Sequence, residues 1–222
     1  MEQHTQEWYK ARLGKITGSM VYVLMGTPRK KGETFTDTAK NYLYQLAAER
    51  NLNDAFKDTY FDEYLERVNV ETRAMRYGTD TEALARQAYD MRLSPDLTVE
   101  ECGFFQHPTL PNYGDSPDGL VWTKARTLTG CIEVKCPNPN TWMRYLDLFK
   151  QGFPLKEVEE KYYWQCQSHI LCTGADWCDF IFYDKMQRNP LQVQRIGPCD
   201  DDLALMIERI TLAEEFIGNI VN

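Results

Sequence analysis

The most informative pattern along the chain is a pair of short apolar runs within residues 116–137, separated by a polar stretch at 123–130. Apolar runs on either side of turn residues predict the two antiparallel strands of a hairpin. Asp118 then opens the first strand, and Glu133 and Lys135 lie inside the second. Because successive side chains of a strand point to opposite faces, Glu133 and Lys135 share one face and their apolar neighbours occupy the other. The hairpin therefore brings Asp118 beside both charged residues.

The other periodicities predict helices before the hairpin, and helices and strands after it. Helical spacing covers 5–13, 20–25, 36–51, 72–93, 138–153, 155–173 and 200–217, and strand-like alternation covers 97–106, 176–184 and 191–196. The acidic and aromatic stretch 53–71 receives no role. This order predicts an α/β sandwich, in which helices flank a central mixed, mostly antiparallel sheet of about five strands and the active site lies at one end of the sheet.

Length and composition favour one cytosolic domain. With 222 residues, 43% of them hydrophobic, and no Pro/Gly/Ser-rich linker, residues 1–222 are expected to share one core. The sequence has neither a long apolar run nor a signal-like N-terminus, so we expect no membrane span and no secretion. Seven cysteines fit reduced thiols better than disulfides. Cys166, Cys172 and Cys178 are six residues apart, a spacing that a helix scatters around its axis, which argues against a metal cluster.

The distribution of charge modifies what the net charge of −8 suggests. An acidic chain argues at first against nucleic-acid binding, which normally rests on a basic surface. Residues 1–40, however, contain seven Lys or Arg (10, 12, 15, 29, 30, 31 and 40) and four acids (2, 7, 33 and 37), a net charge of +3 that leaves −11 for the other 182 residues. A positive N-terminal region on an acidic body suits a protein that admits DNA at one place. An ordinary fluctuation of charge explains the difference equally well.

The charged face of the hairpin indicates a metal site. Two carboxylates and one ammonium carry a large desolvation cost unless a cation and a polar substrate lie beside them. The oxygen ligands of Asp118 and Glu133, with no histidine near them in sequence, indicate Mg²⁺ or Mn²⁺. Spacing alone is weak, because an Asp, a loose gap and Glu-x-Lys arise by chance about once in such a chain. The Ser-Pro-Asp-Gly start and the apolar flanks favour the functional interpretation.

The N-terminal segment has the outline of a phosphate site. Gly14 ends the helix at 5–13, and Thr17 or Ser19 can cap the next helix. The N–H groups of a helix start, a hydroxyl and the nearby Arg12 suit a phosphate group. From spacing alone, an ordinary capping motif is the simpler interpretation.

Taken together, these motifs resemble the phage lambda exonuclease family of viral recombination alkaline exonucleases, within the PD-(D/E)xK nuclease superfamily and its restriction-endonuclease-like core. The resemblance covers most of the chain. It is carried by Ser-Pro-Asp118-Gly, Glu133-Val-Lys135, Trp8, Arg12-Leu-Gly, Ile-Thr-x-Ser19, Pro28-Arg29, Gly78-x-x-x-Glu82 and Gln165-x-Gln167.

The resemblance implies a role for each matching residue. Asp118, Glu133 and the Val134 carbonyl would hold Mg²⁺, for which Mn²⁺ can substitute, and Glu82 would serve a second ion. Lys135 would orient or stabilise the attacking hydroxide. The remaining implied roles are catalytic for Gln165, a DNA or water contact for Gln167 and Thr17, and 5′-phosphate binding for Arg12, Ser19 and Arg29. Without the resemblance, a solvated helix charge is the simpler interpretation of Glu82, and a surface pair explains the two glutamines equally well.

The activity implied is 5′-to-3′ digestion of one strand of linear double-stranded DNA, which leaves a 3′ overhang for recombination by strand annealing. The implied partners are a 5′-phosphorylated DNA end, two further copies of the chain in a ring-shaped homotrimer, and a single-strand annealing recombinase in a bacterial cell carrying the phage or prophage gene. Two alternatives stay open: a restriction-type endonuclease, which would cut closed circles, and a DNA-binding module without catalysis.

Overall fold

The computed structural model describes residues 3–53, 55, 59–68 and 73–221, apart from the side chains of residues 68 and 73–80. The described α-helices are α1 (Gln6–Arg12), α2 (Gly18–Val21), α3 (Asp37–Arg50), α4 (Phe61–Val68), α5 (Arg73–Asp90), α6 (Pro139–Lys150), α7 (Leu155–Val158), α8 (Glu160–Thr173) and α9 (Asp200–Val221), and a 3₁₀ turn (Tyr22–Met25) continues α2. The strands are β1 (Ile16–Thr17), β2 (Leu97–Glu100), β3 (Phe105–Gln106), β4 (Tyr113–Asp115), β5 (Gly119–Thr123), β6 (Leu128–Lys135), β7 (Trp177–Tyr183) and β8 (Leu191–Ile196).

The predicted central sheet is confirmed. Its five strands lie in the order β2-β5-β6-β7-β8, and every neighbouring pair is antiparallel except β6 and β7. A smaller sheet, in the order β1-β4-β3, lies beside it. In this sheet β1 runs parallel to β4, with Ile16 opposite Tyr113 and Thr17 opposite Gly114. That pairing holds the N-terminal segment against the residues that lead into the hairpin.

The two faces of β6 differ as the alternation predicts. Ile132 and Val134 are buried on the face covered by α5, where they join Ala85 and Tyr89 in an apolar cluster. The opposite face points toward α8, whose His169 contacts Glu133. Burial of the apolar face fixes the strand's register, since a shift by one residue would exchange the two faces. The charged residues are therefore held between the sheet and α8.

Three local predictions are wrong. The run 97–106 is not one strand: β2 ends at Glu100, and Phe105–Gln106 belongs to the smaller sheet. The helix expected at 155–173 is interrupted at Glu159, whose extended backbone (φ −158°, ψ 86°) separates α7 from α8. Asp118 precedes β5 rather than opening it, although its N–H donates to the Ile132 carbonyl at 3.0 Å. The predicted start of the helix at 72–93 lies outside the described residues.

Two further observations concern the state of the cysteines and the length and polarity of the helices. All seven cysteines are free thiols. Cys178 lies against Cys131 and Cys166 within the core, and burial raises its thiol pKa well above the ordinary value. None of the described helices is both long and apolar enough to span a membrane.

Candidate active site

Glu133, near the end of β6, is the centre of the candidate active site. Its side chain is completely buried, at 0% exposure. Its Oε2 accepts a hydrogen bond from His169 Nε2 at 2.6 Å, and its Oε1 forms an ion pair with the Lys135 ammonium. Within the described part of the chain Oε1 accepts no hydrogen bond. One carboxylate oxygen is therefore held by His169, and the other faces the Lys135 ammonium.

Asp118 lies beside Glu133 because the hairpin pairs Gly119 with Ile132. Its Oδ2 accepts the Val134 backbone N–H at 2.6 Å, which links the carboxylate directly to β6. Burial raises its pKa well above the ordinary value, and the charges of Glu133 and Glu82 raise it further. The structure thus brings Asp118, Glu133 and Glu82 into one electrostatic neighbourhood.

Glu82 reaches this neighbourhood from α5. Arg86, one turn later, donates through Nη1 to Glu82 Oε1 at 2.9 Å and to the Asp118 carbonyl at 2.6 Å, and through Nη2 to Glu101 at 2.7 Å. Burial raises the pKa of Glu82, as does the charge of Glu133, while Arg86 opposes the shift. The position of Glu82 is therefore fixed by Arg86, a residue that sequence reasoning did not select. An arginine one turn from the candidate acid was the available signal.

The remaining charges show why Glu133 stays ionised. Burial alone would raise its pKa, but Lys135 and His169 outweigh that effect, so its pKa is lowered. Burial likewise opposes the charge of Lys135, and the carboxylates of Glu133 and Asp118 reverse this and raise its pKa. The Lys135 ammonium lies 5.2 Å from the centre of the Tyr162 ring. The site thus holds an ionised Glu133 and a protonated Lys135.

The donor set fits a hard divalent cation. Two neighbouring carboxylates with raised pKa values are unfavourable in their ionised form, and a divalent ion would relieve this cost. Within the described residues, no three His, Cys, Asp or Glu side chains are already arranged as a metal cluster. Lys135 contacts the oxygen that an ion would take. Asp118, Glu133, Glu82 and the Val134 carbonyl remain the predicted ligands.

The sequence analysis missed His169, which lies between two carboxylates. Besides its bond to Glu133, its Nδ1 is 2.8 Å from Asp115 Oδ2. Burial lowers the pKa of His169, but the two carboxylates outweigh it and hold the pKa well above its ordinary value. The ring is therefore an imidazolium that donates from both nitrogens. Helical spacing from Gln165 to residue 169 was the signal that could have found it.

The two glutamines of the Gln-x-Gln motif point in different directions. Gln165 is largely buried, and no described residue forms a hydrogen bond with its amide. It lies between Tyr162 and His169 on the face of α8 that meets β6. Gln167 instead donates to the Gly197 carbonyl at 2.8 Å and accepts from Cys199 N–H at 3.2 Å. Gln167 therefore has structural partners because α8 turns residues two apart to different sides, and its expected DNA or water contact stays a prediction.

The predicted 5′-phosphate residues Arg12, Ser19 and Arg29 have different contacts in the structure, and their common role stays a prediction. The Arg12 guanidinium lies 4.0 Å from the centre of the Trp8 ring and donates to Ser116 Oγ at 3.3 Å. Burial lowers its pKa, and the charge of Asp115 opposes that shift. Ser19 Oγ is 3.3 Å from the hydroxyl of Thr17. Arg29 is exposed, and its side chain forms no hydrogen bond or salt bridge with the described residues.

The expected helix cap at Thr17 or Ser19 is also different in the structure. Thr17 occupies the N-cap position of α2 but makes no side-chain capping bond. Its hydroxyl bonds Ser19, and its backbone N–H donates to Tyr42 Oη at 3.1 Å. Thr17 itself is buried. The two hydroxyls therefore bond each other beside the end of β1.

Comparison with known proteins decides the family. Residues 7–176 match the YqaJ-like viral recombinase domain. The chain belongs to the YqaJ-like viral recombinase family. The fold agrees: an alkaline exonuclease, LHK-Exo from Laribacter hongkongensis, has a TM-score of 0.74 and 30% identity, with 98% of this chain and 94% of that chain covered. This membership confirms the expected lambda exonuclease-like family and shows that the chain is related to nucleases.

Two further structures extend the comparison. LHK-Exo in complex with dAMP gives a TM-score of 0.73 at 30% identity, over 98% of this chain and 94% of that chain. A phage-related exonuclease from Haemophilus somnus 129PT shares the fold, with a TM-score of 0.65 at 14% identity over 93% of this chain and 95% of that chain. No curated protein sequence matches the chain. The fold is thus also found in a protein of low sequence identity to this chain.

Proposed function

We propose that this member of the YqaJ-like viral recombinase family is a metal-dependent exonuclease that digests one strand of linear double-stranded DNA from its 5′ end. The observation that carries the proposal is the meeting of Asp118, Glu133, Glu82 and Lys135 between β6, α5 and α8. One buried and two partly buried acids, with one cation, at the end of the central strand β6 suit a PD-(D/E)xK nuclease. The product would be a 3′ single-stranded overhang for strand annealing.

The donor set assigns a role to each group in phosphodiester hydrolysis. Asp118, Glu133, Glu82 and the Val134 carbonyl would hold one or two Mg²⁺ ions, with Mn²⁺ as a substitute. When bound, the metal lowers the pKa of its water and neutralises charge that develops on the phosphate. Lys135 keeps its proton beside Glu133 and places a positive charge where the attacking hydroxide and the phosphate meet. The unbonded amide of Gln165 can orient a water or a phosphate oxygen.

The direction of digestion follows from the predicted phosphate pocket of Arg12, Ser19 and Arg29. Within the described residues, Arg12 and Arg29 have no salt-bridge partner, so both guanidinium groups retain charge for an anion. A guanidinium can form paired, charge-assisted bonds with a phosphate. Arg12 also borders Ser116, two residues before Asp118. A 5′-phosphate held there would lie on the same chain segment as a metal ligand.

The test compares linear and closed circular duplexes of the same sequence in Mg²⁺. The proposal expects loss of linear DNA from its 5′ ends with circles intact, and a faster reaction at 5′-phosphorylated than at 5′-hydroxyl ends. Cutting of closed circles would favour the restriction-type endonuclease. Binding of linear duplex without digestion in Mg²⁺ or Mn²⁺ would favour a DNA-binding module. Digestion from 3′ ends would contradict the assignment of the pocket even if the metal site is right.

The assembly and partner rest on the family resemblance. We propose a ring-shaped homotrimer that encloses the duplex and works beside a single-strand annealing recombinase. Sedimentation of the purified protein measures the first part, where a trimer is expected and a 26.0 kDa monomer at all concentrations would contradict it. Co-purification with an annealing protein encoded beside it measures the second.

A further inference from the structure

A chain of buried hydrogen bonds runs outward from Glu133 through α8 to β4. His169 donates from Nε2 to Glu133 at 2.6 Å and from Nδ1 to Asp115 Oδ2 at 2.8 Å. Asp115 Oδ2 also accepts from Ser168 Oγ at 2.5 Å, and the Ser168 oxygen is 2.5 Å from the Tyr113 hydroxyl. All five residues are buried. Each polar group thus has a partner inside the protein, which limits the movement of the imidazole ring.

The position of Asp115 is fixed from its other side as well. Its Oδ1 accepts the Ser116 backbone N–H at 2.8 Å. Gly18 lies so close that an added Cβ would be 1.9 Å from Asp115 Oδ2. A side chain at position 18 would therefore displace the carboxylate. The close approach of Gly18 restricts the position of the Asp115 carboxylate. The position of this carboxylate in turn restricts the orientation of the His169 ring that donates to it.

The two oxygens of Glu133 are used differently because of this arrangement. Oε2 is bound by His169, while Oε1 accepts no hydrogen bond within the described residues and faces Lys135. A buried carboxylate without a fixed partner could rotate and present either oxygen. Bonds from outer residues commonly orient metal ligands in this way.

We propose that His169, held by Asp115, is the positioning residue that fixes the Glu133 carboxylate so that Oε1 points at the divalent metal. The inference rests on the proposed metal-dependent function. It assigns His169 no contact with DNA or with the reacting atoms. The ring acts through Glu133 alone, and Asp115 acts through the ring.

The experiment measures Mn²⁺ binding to the metal-free, folded protein without DNA, by electron paramagnetic resonance of the unbound ion. The variants are His169→Ala, His169→Gln and Tyr89→Phe. Tyr89→Phe is the matched control, because the Tyr89 hydroxyl donates to the buried Asp179 at 2.7 Å on the other face of the sheet. Circular dichroism and thermal unfolding establish the folded fraction of each variant. All titrations are done at a temperature at which every variant is completely folded.

We expect His169→Ala to raise the Mn²⁺ dissociation constant about 10–100-fold, because loss of a residue that hydrogen-bonds to a metal ligand has this effect in other metalloproteins. His169→Gln keeps one N–H donor for Glu133 and should recover most of that loss. Tyr89→Phe should lower the unfolding temperature yet bind Mn²⁺ within about twofold of the wild type. If His169→Ala does not fold, the comparison of His169→Gln with Tyr89→Phe decides, and a constant about threefold or more above that of Tyr89→Phe supports the proposal.

Two results overturn the inference. Folded His169 variants that bind Mn²⁺ as the wild type does would show that His169 only neutralises buried charge. Equally weak Mn²⁺ binding by Tyr89→Phe would show that the loss of any buried hydrogen bond has the same effect. A wild-type protein that binds no Mn²⁺ would contradict the proposed metal-dependent function itself, and with it this inference.

Discussion

Replacing Asp118 by Asn should stabilise the metal-free protein while removing its response to Mg²⁺. Asp118 is half-buried beside Glu133 and Glu82, and no Lys or Arg side chain forms a salt bridge with it among the described residues. An Asn side chain has the same shape, and its oxygen can accept the Val134 N–H that Asp118 accepts at 2.6 Å. The substitution therefore removes the like-charge repulsion and keeps the hydrogen bond.

The size of the expected stabilisation follows from the repulsion between the carboxylates of the site. Two like charges about 4 Å apart repel by up to about 4 kcal/mol at an effective dielectric constant of about 20. Lys135 and Arg86 offset much of this, so we expect Asp118→Asn to raise the free energy of unfolding by about 1–2 kcal/mol. For a chain of this length that is a rise of about 2–8 °C in Tm. Mg²⁺ at 100 times its Kd should stabilise the wild type by about 2.7 kcal/mol, and the variant by much less.

Thermal unfolding followed by circular dichroism, in EDTA and in Mg²⁺, measures both effects. Asp179→Asn is the control, since Asp179 is a buried carboxylate on β7 that accepts two hydrogen bonds from Arg195, at 2.8 and 2.9 Å, and one from Tyr89. Loss of that charge should lower the free energy of unfolding by about 1–3 kcal/mol. A lower Tm for Asp118→Asn in EDTA, like that of Asp179→Asn, would refute the reasoning that the acids are held together at a cost.

Three further predictions test other parts of the site. Lys135→Ala should bind linear duplex in a gel-shift assay but cleave it about 10²–10³-fold more slowly, and cleavage at the wild-type rate would contradict its role. Arg12→Ala should lower the ratio of digestion rates at 5′-phosphate and 5′-hydroxyl ends about tenfold, with Mn²⁺ affinity unchanged, whereas equal slowing at both ends would count against the pocket. Gly18→Ala should cost about 1–3 kcal/mol in urea unfolding, because its Cβ would meet Asp115, and an unchanged midpoint would show that the carboxylate moves freely.

The charged hairpin could be predicted because its information is local. Strand alternation places Glu133 and Lys135 on one face whatever surrounds the sheet, and the structure agrees. The same reasoning failed at 97–106, where alternation continues while the backbone leaves one sheet and enters another. Strands of two or three residues, such as β1 and β4, are too short to show a period. Local patterns therefore predicted the central sheet and missed the small sheet that fixes Asp115.

The contacts that His169 and Gln167 make could not be predicted because their partners are distant in sequence. His169 contacts Glu133 and Asp115, which are 36 and 54 positions away. Nothing in the sequence around residue 169 indicates two carboxylates. Gln167, two positions earlier, seemed equally polar and instead holds the segment before α9. Which polar residues of a buried helix reach the site depends on how the helix is rotated against the sheet, and that rotation is a property of the whole core.

The distribution of salt bridges explains how a chain of net charge −8 can still present positive charge to DNA. Among the described residues after position 40, most of the basic side chains near the sheet are paired with acids: Arg50 with Glu214, Arg86 with Glu82 and Glu101, Arg126 with Glu100, Arg144 with Glu159, Lys156 with Asp202, and Arg195 with Asp179. Among the described residues up to position 40, Lys30 and Lys40 both form a salt bridge with Glu33.

Arg12 and Lys15, by contrast, form no salt bridge within the described part of the chain, and their charged groups lie against the rings of Trp8 and Phe104. Burial lowers the pKa of both, so an approaching phosphate would offset a cost already present in the folded protein. Both side chains belong to the segment that leads into β1, which pairs with β4, the strand that ends at Asp115. A phosphate bound by Arg12 would lie near Ser116, the residue after Asp115, and this would place the proposed end recognition and the proposed metal binding in one part of the fold.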